Sequence, residues 1–242
     1  MVGYNTVDIN PGYNMFAVNF KQMGEGASIK IDNLFPGGGK TDTVFTYGAN
    51  TGVADYIKVW NNAIGEYSTY FLYKIKKGTN AKDYYWVDDS MNLATDVTFK
   101  NGDAFWFYKR GDQKVTATTS GEVELSNVKE VAIKPGYNMI GSFFPAGWTL
   151  NDDYYTPTYW QNSGAIYGAN TGVADYIKVW DNSKNEYDTY FLYKIKKGTN
   201  AKDYMWVDDS MNVANGTVMT PGKGAWYYHR GAGFNLEIKK QF

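Results

Sequence analysis

Apolar and polar positions alternate along residues 56–60. In an extended chain Tyr56, Lys58 and Trp60 fall on one face and Ile57 and Val59 on the other. The run TYFLYKIK at 69–76 is apolar over a longer stretch, which predicts a strand buried on both sides. It leads into a polar turn, KKGTNAKD, with Gly78 and Asn80, and then a further strand, YYWVDD, that ends in acids. The segment VTFKNGDAFWFYK reads as a hairpin about Asn101 and Gly102, flanked by Phe99 and Phe105. Helical spacing is confined to SIKIDNLF at 28–35. The pattern predicts an all-β chain with about seven or eight strands per copy of an internal repeat, folded as a sandwich or a partly open barrel.

The repeat is explicit. YGANTGVADYIKVW occurs at 47–60 and again at 167–180, an offset of 120. Between 47–92 and 167–212 only positions 61, 63, 64, 65, 68 and 85 differ. The opening is looser: PGYNM at 11–15 answers PGYNM at 135–139, an offset of 124. Between that motif and Tyr47 the copies have diverged. A period of this length suits a domain rather than a solenoid repeat or a propeller blade. Two tandem homologous antiparallel β-domains are expected, residues 1–120 and 121–242. The strand-like seam at 118–130, without a Gly/Ser or Pro-rich tether, predicts a fixed relation between them.

Composition narrows the chemistry. The net charge is −1 with both signs interspersed, so no basic field exists for nucleic acid. No apolar run reaches the ~20 residues of a bilayer-spanning helix, so membrane insertion is not expected. Cysteine is absent and there is one histidine, which removes disulfides, thiolate chemistry and the usual transition-metal ligands; no cofactor or metal is expected. The aromatic content of 18%, with 22 Tyr and 8 Trp, fits sheet packing and also ring platforms for sugars or self-association.

His229 is answered by Lys109 in the first copy, so it is read as a solvated strand residue and not as a catalytic base. Asp88 and Asp89, like Asp208 and Asp209, are adjacent on a strand and point to opposite faces, unsuited to an acid/base couple. Trp106 and Trp226 follow tight turns into what reads as the last strand of each copy and are expected in the core. Local identity of polar letters needs either exchange of sequence between the copies or a surface used twice. A surface used twice would be formed by Asn50, Asp55, Lys58, Asn80, Lys82 and Asp83 around an exposed Tyr56. Its counterpart would be Asn170, Asp175, Lys178, Asn200, Lys202 and Asp203 around Tyr176. Its partner would be a glycan or another copy of the chain.

The motif order is a PGYNM opening, a DYIKVW strand, TYFLY, WVDD, and a closing NGDAFWFYK or PGKGAWYY. It resembles repeat modules of large exported and cell-surface proteins of some bacteria. The nearest matches are residues 135–141 with Phe144 and Pro145, and 221–226. Copy one departs, with FAVNF after its opening and Asn101 where proline is common. The resemblance implies an exported β-rich surface protein that begins after a cleaved signal and has no established enzymatic role. The expected function is therefore non-enzymatic: structural or adhesin-like, with self-assembly as one form of it. Carbohydrate binding at one aromatic-lined site per repeat is the alternative, and a glycoside-active enzyme stands third.

Overall fold

A computed structural model describes residues 1–24, 28–35 and 44–241. Among the described residues each copy contributes nine strands, more than the pattern suggested because several are only two to four residues long. Copy one holds β1 (Val2–Ile9), β2 (Gly12–Ala17), β3 (Ser28–Lys30), β4 (Tyr56–Asn61), β5 (Glu66–Leu72), β6 (Trp86–Asp88), β7 (Thr98–Lys100), β8 (Ala104–Lys109) and β9 (Val115–Glu122). Copy two holds β10 (Val128–Ile133), β11 (Gly136–Gly141), β12 (Trp148–Thr149), helix α1 (Pro157–Asn162), β13 (Tyr176–Asp181), β14 (Glu186–Tyr193), β15 (Met205–Asp208), β16 (Thr217–Met219), β17 (Gly224–His229) and β18 (Phe234–Lys239).

Both copies build the same open five-stranded antiparallel sheet, in the orders β2-β8-β4-β5-β6 and β11-β17-β13-β14-β15. Two short ribbons complete each copy: β1-β9 and β3-β7 in the first, β10-β18 and β12-β16 in the second. The fold is all-β with two similar domains, and Trp60 and Trp180 hold the same place on the central strand of each large sheet. The first domain's last strand ends at Glu122, two residues beyond the expected boundary.

Alternation on β4 is as the pattern requires. Ile57 and Val59 join Phe16, Leu72, Trp86, Phe105 and Phe107 in a core that Ile9, Ala117 and Phe99 of the two ribbons close. The corresponding core of copy two gathers Ile140, Ile177, Leu192, Trp206 and Tyr227. Burial of each such side chain contributes about 2–3 kcal/mol.

Four local expectations differ from the structure. The run at 69–76 is strand only as far as Leu72, where Phe71 and Leu72 are buried on both faces, and Lys74 and Lys76 beyond it are exposed. The segment around Asn101 turns, with Gly102 at φ +93, but β7 and β8 do not pair. The turn carries the chain from one sheet to another. Residues 28–35 form a short strand and one turn of 3-10 helix, Ile31–Asn33. Helix α1 was not anticipated, although Thr156 followed by Pro157 is a readable start: the Thr156 side chain accepts from the Tyr159 N–H at 3.2 Å. A long hairpin joins β4 to β5 and β13 to β14. Gly65 and Asn185 close these hairpins at φ +70 and +56, a left-handed position that those two residue types tolerate.

The domains meet through a pseudo-twofold contact. Ala17 donates its N–H to the Gly222 carbonyl at 2.8 Å, and Gly141 donates to the Gly102 carbonyl at 3.1 Å. The Trp60 indole donates to the Tyr137 carbonyl at 3.1 Å and the Trp180 indole to the Tyr13 carbonyl at 2.8 Å. Trp60 lies edge-on to Trp226 at 5.4 Å, and Trp106 to Trp180 at 5.6 Å. Each of these contacts occurs twice with the copies exchanged, the mark of an isologous interface, while Asn182 to Tyr13 and Asn101 to Phe143 add bonds on one side. Trp106 and Trp226 are buried, as expected, but their cluster lies between the domains, with Met15, Ala17, Ala104 and Met139. The seam is also clamped. Glu124, buried between the domains, pairs with Lys21 at 2.8 Å and Lys129 at 3.1 Å.

Candidate functional site

The face of each large sheet that turns away from its core carries aligned side chains. On copy one the first row is Tyr13, Tyr108, Tyr56 and Phe71, and the next is Met15, Trp106, Lys58 and Thr69. Copy two repeats this with Tyr137, Tyr228, Tyr176 and Phe191, then Met139, Trp226, Lys178 and Thr189. Tyr56 and Tyr108 stack at 4.9 Å with 4° between planes, and Tyr176 and Tyr228 at 4.9 Å with 8°. The Tyr13 and Tyr56 hydroxyls hydrogen-bond at 2.9 Å, as do those of Tyr137 and Tyr176. Burial and these hydroxyl contacts push the Tyr56 and Tyr176 phenols well above their ordinary value, so both stay neutral.

Lys58 lies 5.8 Å from the Tyr56 ring and 5.6 Å from that of Tyr67; Lys178 lies 5.6 Å from both Tyr176 and Tyr187. The Arg110 and Arg230 guanidinium groups sit over Tyr108 and Tyr228 at 4.5 and 5.0 Å. Each is oriented by backbone carbonyls of the repeated loop: Thr51 and Ala54 for Arg110, Thr171 and Ala174 for Arg230.

A shallow pocket of about 330 Å³ opens on this face in copy two, lined by Thr171, Gly172, Tyr176, Lys178, Thr189, Asp209 and Arg230. All seven residue types recur in copy one as Thr51, Gly52, Tyr56, Lys58, Thr69, Asp89 and Arg110. A second cleft, of about 260 Å³, lies between the domains and is lined by Trp60, Tyr67, Tyr137, Lys178, Tyr187 and Trp226. Lys178 borders both.

The residues singled out by the repeat divide into two groups. Lys58 and Lys178 reach the outward face. The others form the loops that frame it. Asn50 and Asn170 accept from the Gly52 and Gly172 N–H groups at 2.9 Å. Asn80 and Asn200 accept from Lys82 and Lys202 N–H, whose ammonium groups donate to the Met91 and Met211 carbonyls. Asp83 accepts from Ile75 and Asn80 N–H, and Asp203 from Ile195 and Asn200 N–H. Tyr56 and Tyr176 are not exposed: they are 7% and 9% accessible, because neighbouring tyrosines cover them. Asp55 and Asp175 are fully buried and fasten the loops. Asp55 accepts from Thr46 and Arg110 N–H, and Asp175 from Ile166 and Arg230 N–H. Burial pushes the Asp55 carboxyl up, against these backbone donors.

His229 is buried, not solvated. Its Nδ1 lies 2.7 Å from an Asp175 oxygen, and its Nε2 accepts from the Gly233 N–H at 3.1 Å. The second contact assigns the proton to Nδ1. The Tyr227 hydroxyl donates to the same carboxylate at 3.0 Å. Copy one replaces this network with Phe107 and with Lys109, which donates to the Val44 and Arg110 carbonyls. Asp88 and Asp208 accept from Ser90 and Asn92, and from Ser210 and Asn212, closing a turn. Asp89 and Asp209 are exposed. Among the described residues, no group of three or more His, Asp or Glu is placed to hold a metal, and no helix is long and apolar enough to cross a membrane.

Sequence reasoning missed Arg110, Arg230, Thr69 and Thr189, and it considered Asp89 and Asp209 only as members of adjacent acid pairs. The signal was available: these residues also keep their identity between copies, and the alternation of β4 and β5 sets Thr69 beside Lys58. Compared with protein-family models, curated proteins and solved structures, the chain matches none.

Proposed function

We propose that this chain is a non-enzymatic, exported surface protein of bacterial type that adheres through carbohydrate, with one binding surface per repeat. The observation that carries the reading is the pocket of Tyr176, Lys178, Thr189, Asp209 and Arg230, whose residue types recur without change in copy one. Sugars are held by hydroxyl, carboxylate and cationic groups at fixed positions beside aromatic rings; the pocket supplies the polar groups over the covered Tyr176, and the half-exposed Tyr137 lies alongside. The absence of catalysis is supported by the state of the acids: Asp55, Asp83 and Asp88, with their counterparts, are engaged by backbone donors and serve the loops.

Assembly through sheet edges has less support. The ends of the β2 and β11 edges are met by Gly222 and Gly102 of the opposite domain, and the opposite edges, β6 and β15, are three and four residues long. The test is glycan-array screening followed by calorimetry on the wild type and on a variant carrying Thr69→Val, Asp89→Ala, Thr189→Val and Asp209→Ala. The reading expects binding by the wild type and at least a tenfold loss in the variant with its melting temperature kept. Unchanged binding, or no glycan bound by the wild type, contradicts it.

A further inference from the structure

Resting on the carbohydrate reading, we infer that the two outward faces form one groove that takes a single extended acidic polysaccharide across the pseudo-twofold axis. Two observations lead there. The first is continuity. Lys178 borders both the pocket on copy two and the cleft between the domains. That cleft is walled by Trp60 and Tyr67 from copy one and by Tyr137, Tyr187 and Trp226 from copy two. The interdomain contacts repeat with the copies exchanged, so the same path runs on past Lys58 toward Arg110.

The second observation is charge. Lys58, Lys178, Arg110 and Arg230 line the path, and none forms an ion pair among the described residues. The ammonium groups rest beside tyrosine rings with no carboxylate partner, and the guanidinium groups are held by carbonyls above the buried Asp55 and Asp175, which accept the Arg110 and Arg230 backbone N–H groups. Asp89 and Asp209 are the carboxylates of the two pockets, and Lys178 is the one charged residue among those lining the cleft. Among the groups that reach the surface the groove therefore carries an excess of two positive charges, with Asp55 and Asp175 buried beneath the arginines, on a chain of net charge −1. Tyrosine and tryptophan rings give sugar faces a surface to lie on, and the lysines meet carboxylates along the polymer. A regularly spaced polyanion such as a uronic-acid chain matches this arrangement. A neutral glycan leaves the lysines without a partner.

The probes are oligogalacturonate, alginate and hyaluronate oligomers, each long enough to span both domains, together with the methyl-esterified form of each. Calorimetry on the full chain is expected to give one acidic oligomer per chain. Binding should weaken at least tenfold in Lys58→Gln/Lys178→Gln and about tenfold between low and high salt. The esterified forms should bind at least fivefold more weakly. Two oligomers per chain, equal binding of acidic and esterified forms, or no effect of the double variant would overturn the inference. If neutral glycans bind while acidic ones do not, the inference fails and the carbohydrate reading stands. If neither class binds, both fail. Retention of the wild-type melting temperature by the double variant excludes unfolding as the cause of a loss.

Discussion

The two copies differ most where they cover their cores and least along β4 to β6, their counterparts and the loops that Asp55 and Asp175 fasten. In copy one the inner face of the large sheet is covered by Ile31, Leu34, Phe35 and Phe45. In copy two the same face is covered by Trp148, Leu150, Tyr155 and Trp160. A cover must fill volume, and many sets of side chains do so. Copy two fills it with larger rings, and Trp160 stacks on Tyr155 at 5.6 Å. Copy one leaves a partly open cavity of about 100 Å³ among Phe16, Leu34, Phe35 and Phe105, with Gly222 of copy two at its wall, over the described residues. The near-identical block supplies β4, β5 and β6 and their counterparts, the loops held by Asp55 and Asp175, and the two indoles that cross to the other domain. Those indoles make reciprocal contacts across the domains. A change in one copy alone breaks the match between reciprocal contacts, whereas a change in a cover is absorbed locally.

The largest expected effect breaks the mirrored contact at its centre. Trp226→Ala removes the ring that Trp60 and Tyr67 pack against and should cost about 3–5 kcal/mol by denaturant unfolding. A loss under about 1 kcal/mol would show that the ring does not hold the domains. Next comes the point where the copies hold one loop by different means. Asp175→Asn replaces a buried acceptor of four hydrogen bonds and should cost about 3 kcal/mol. Asp55→Asn, without the His and Tyr partners, should cost about 1–2 kcal/mol. Equal losses in urea titrations would mean that the His229 network adds nothing. A smaller effect is expected at the closest approach. A Cβ on Gly141 would come within 2.3 Å of the Ala17 Cβ, so Gly141→Ala should cost about 1–3 kcal/mol. Adding Ala17→Gly should recover part of that loss, and additive losses would exclude the contact.

The smallest effect concerns the clamp at the seam. Burial alone would raise the Glu124 carboxyl, but hydrogen bonds from Lys21, Ser126 and Lys129 outweigh it and hold the group well below its ordinary value of 4.5. A depressed carboxyl contributes stability above its unfolded value, and that contribution is lost as the pH falls through 4.5 and below. Glu124→Gln should therefore cost about 1–2 kcal/mol at neutral pH, and the difference from wild type should shrink in acid. A difference independent of pH between 7 and 3 would contradict the clamp.

Much of the architecture was legible in the letters. The offset of 120, the period-two alternation of 56–60 and the run at 69–76 led to two like all-β domains with the correct faces inward. What could not be read was partner choice. The Asn101–Gly102 turn marks a reversal, but whether the flanking strands pair with each other depends on what else the chain brings alongside; here β2 and β3 take those places. The burial of His229 was hidden for a related reason. Copy one carries Lys109 there, and a lysine also fits a buried strand position when its ammonium reaches a carbonyl. Tyr56 was expected at the surface because its identity is kept. It is kept, but as the floor beneath Tyr13 and Tyr108, and the exposed groups of that face lie around it.

The mirrored contact between the domains is the claim on which the reading of the repeated phrase and of the groove depends. Nitrogen-15 labelling of the tryptophans tests it through the indole protons of Trp60 and Trp180, each bonded to a carbonyl of the opposite domain. Both should exchange slowly with solvent at similar rates, and Gly141→Ala should accelerate both together although it lies in one copy. Free exchange of both indoles in the wild type, or acceleration of only one in the variant, would contradict a single reciprocal interface.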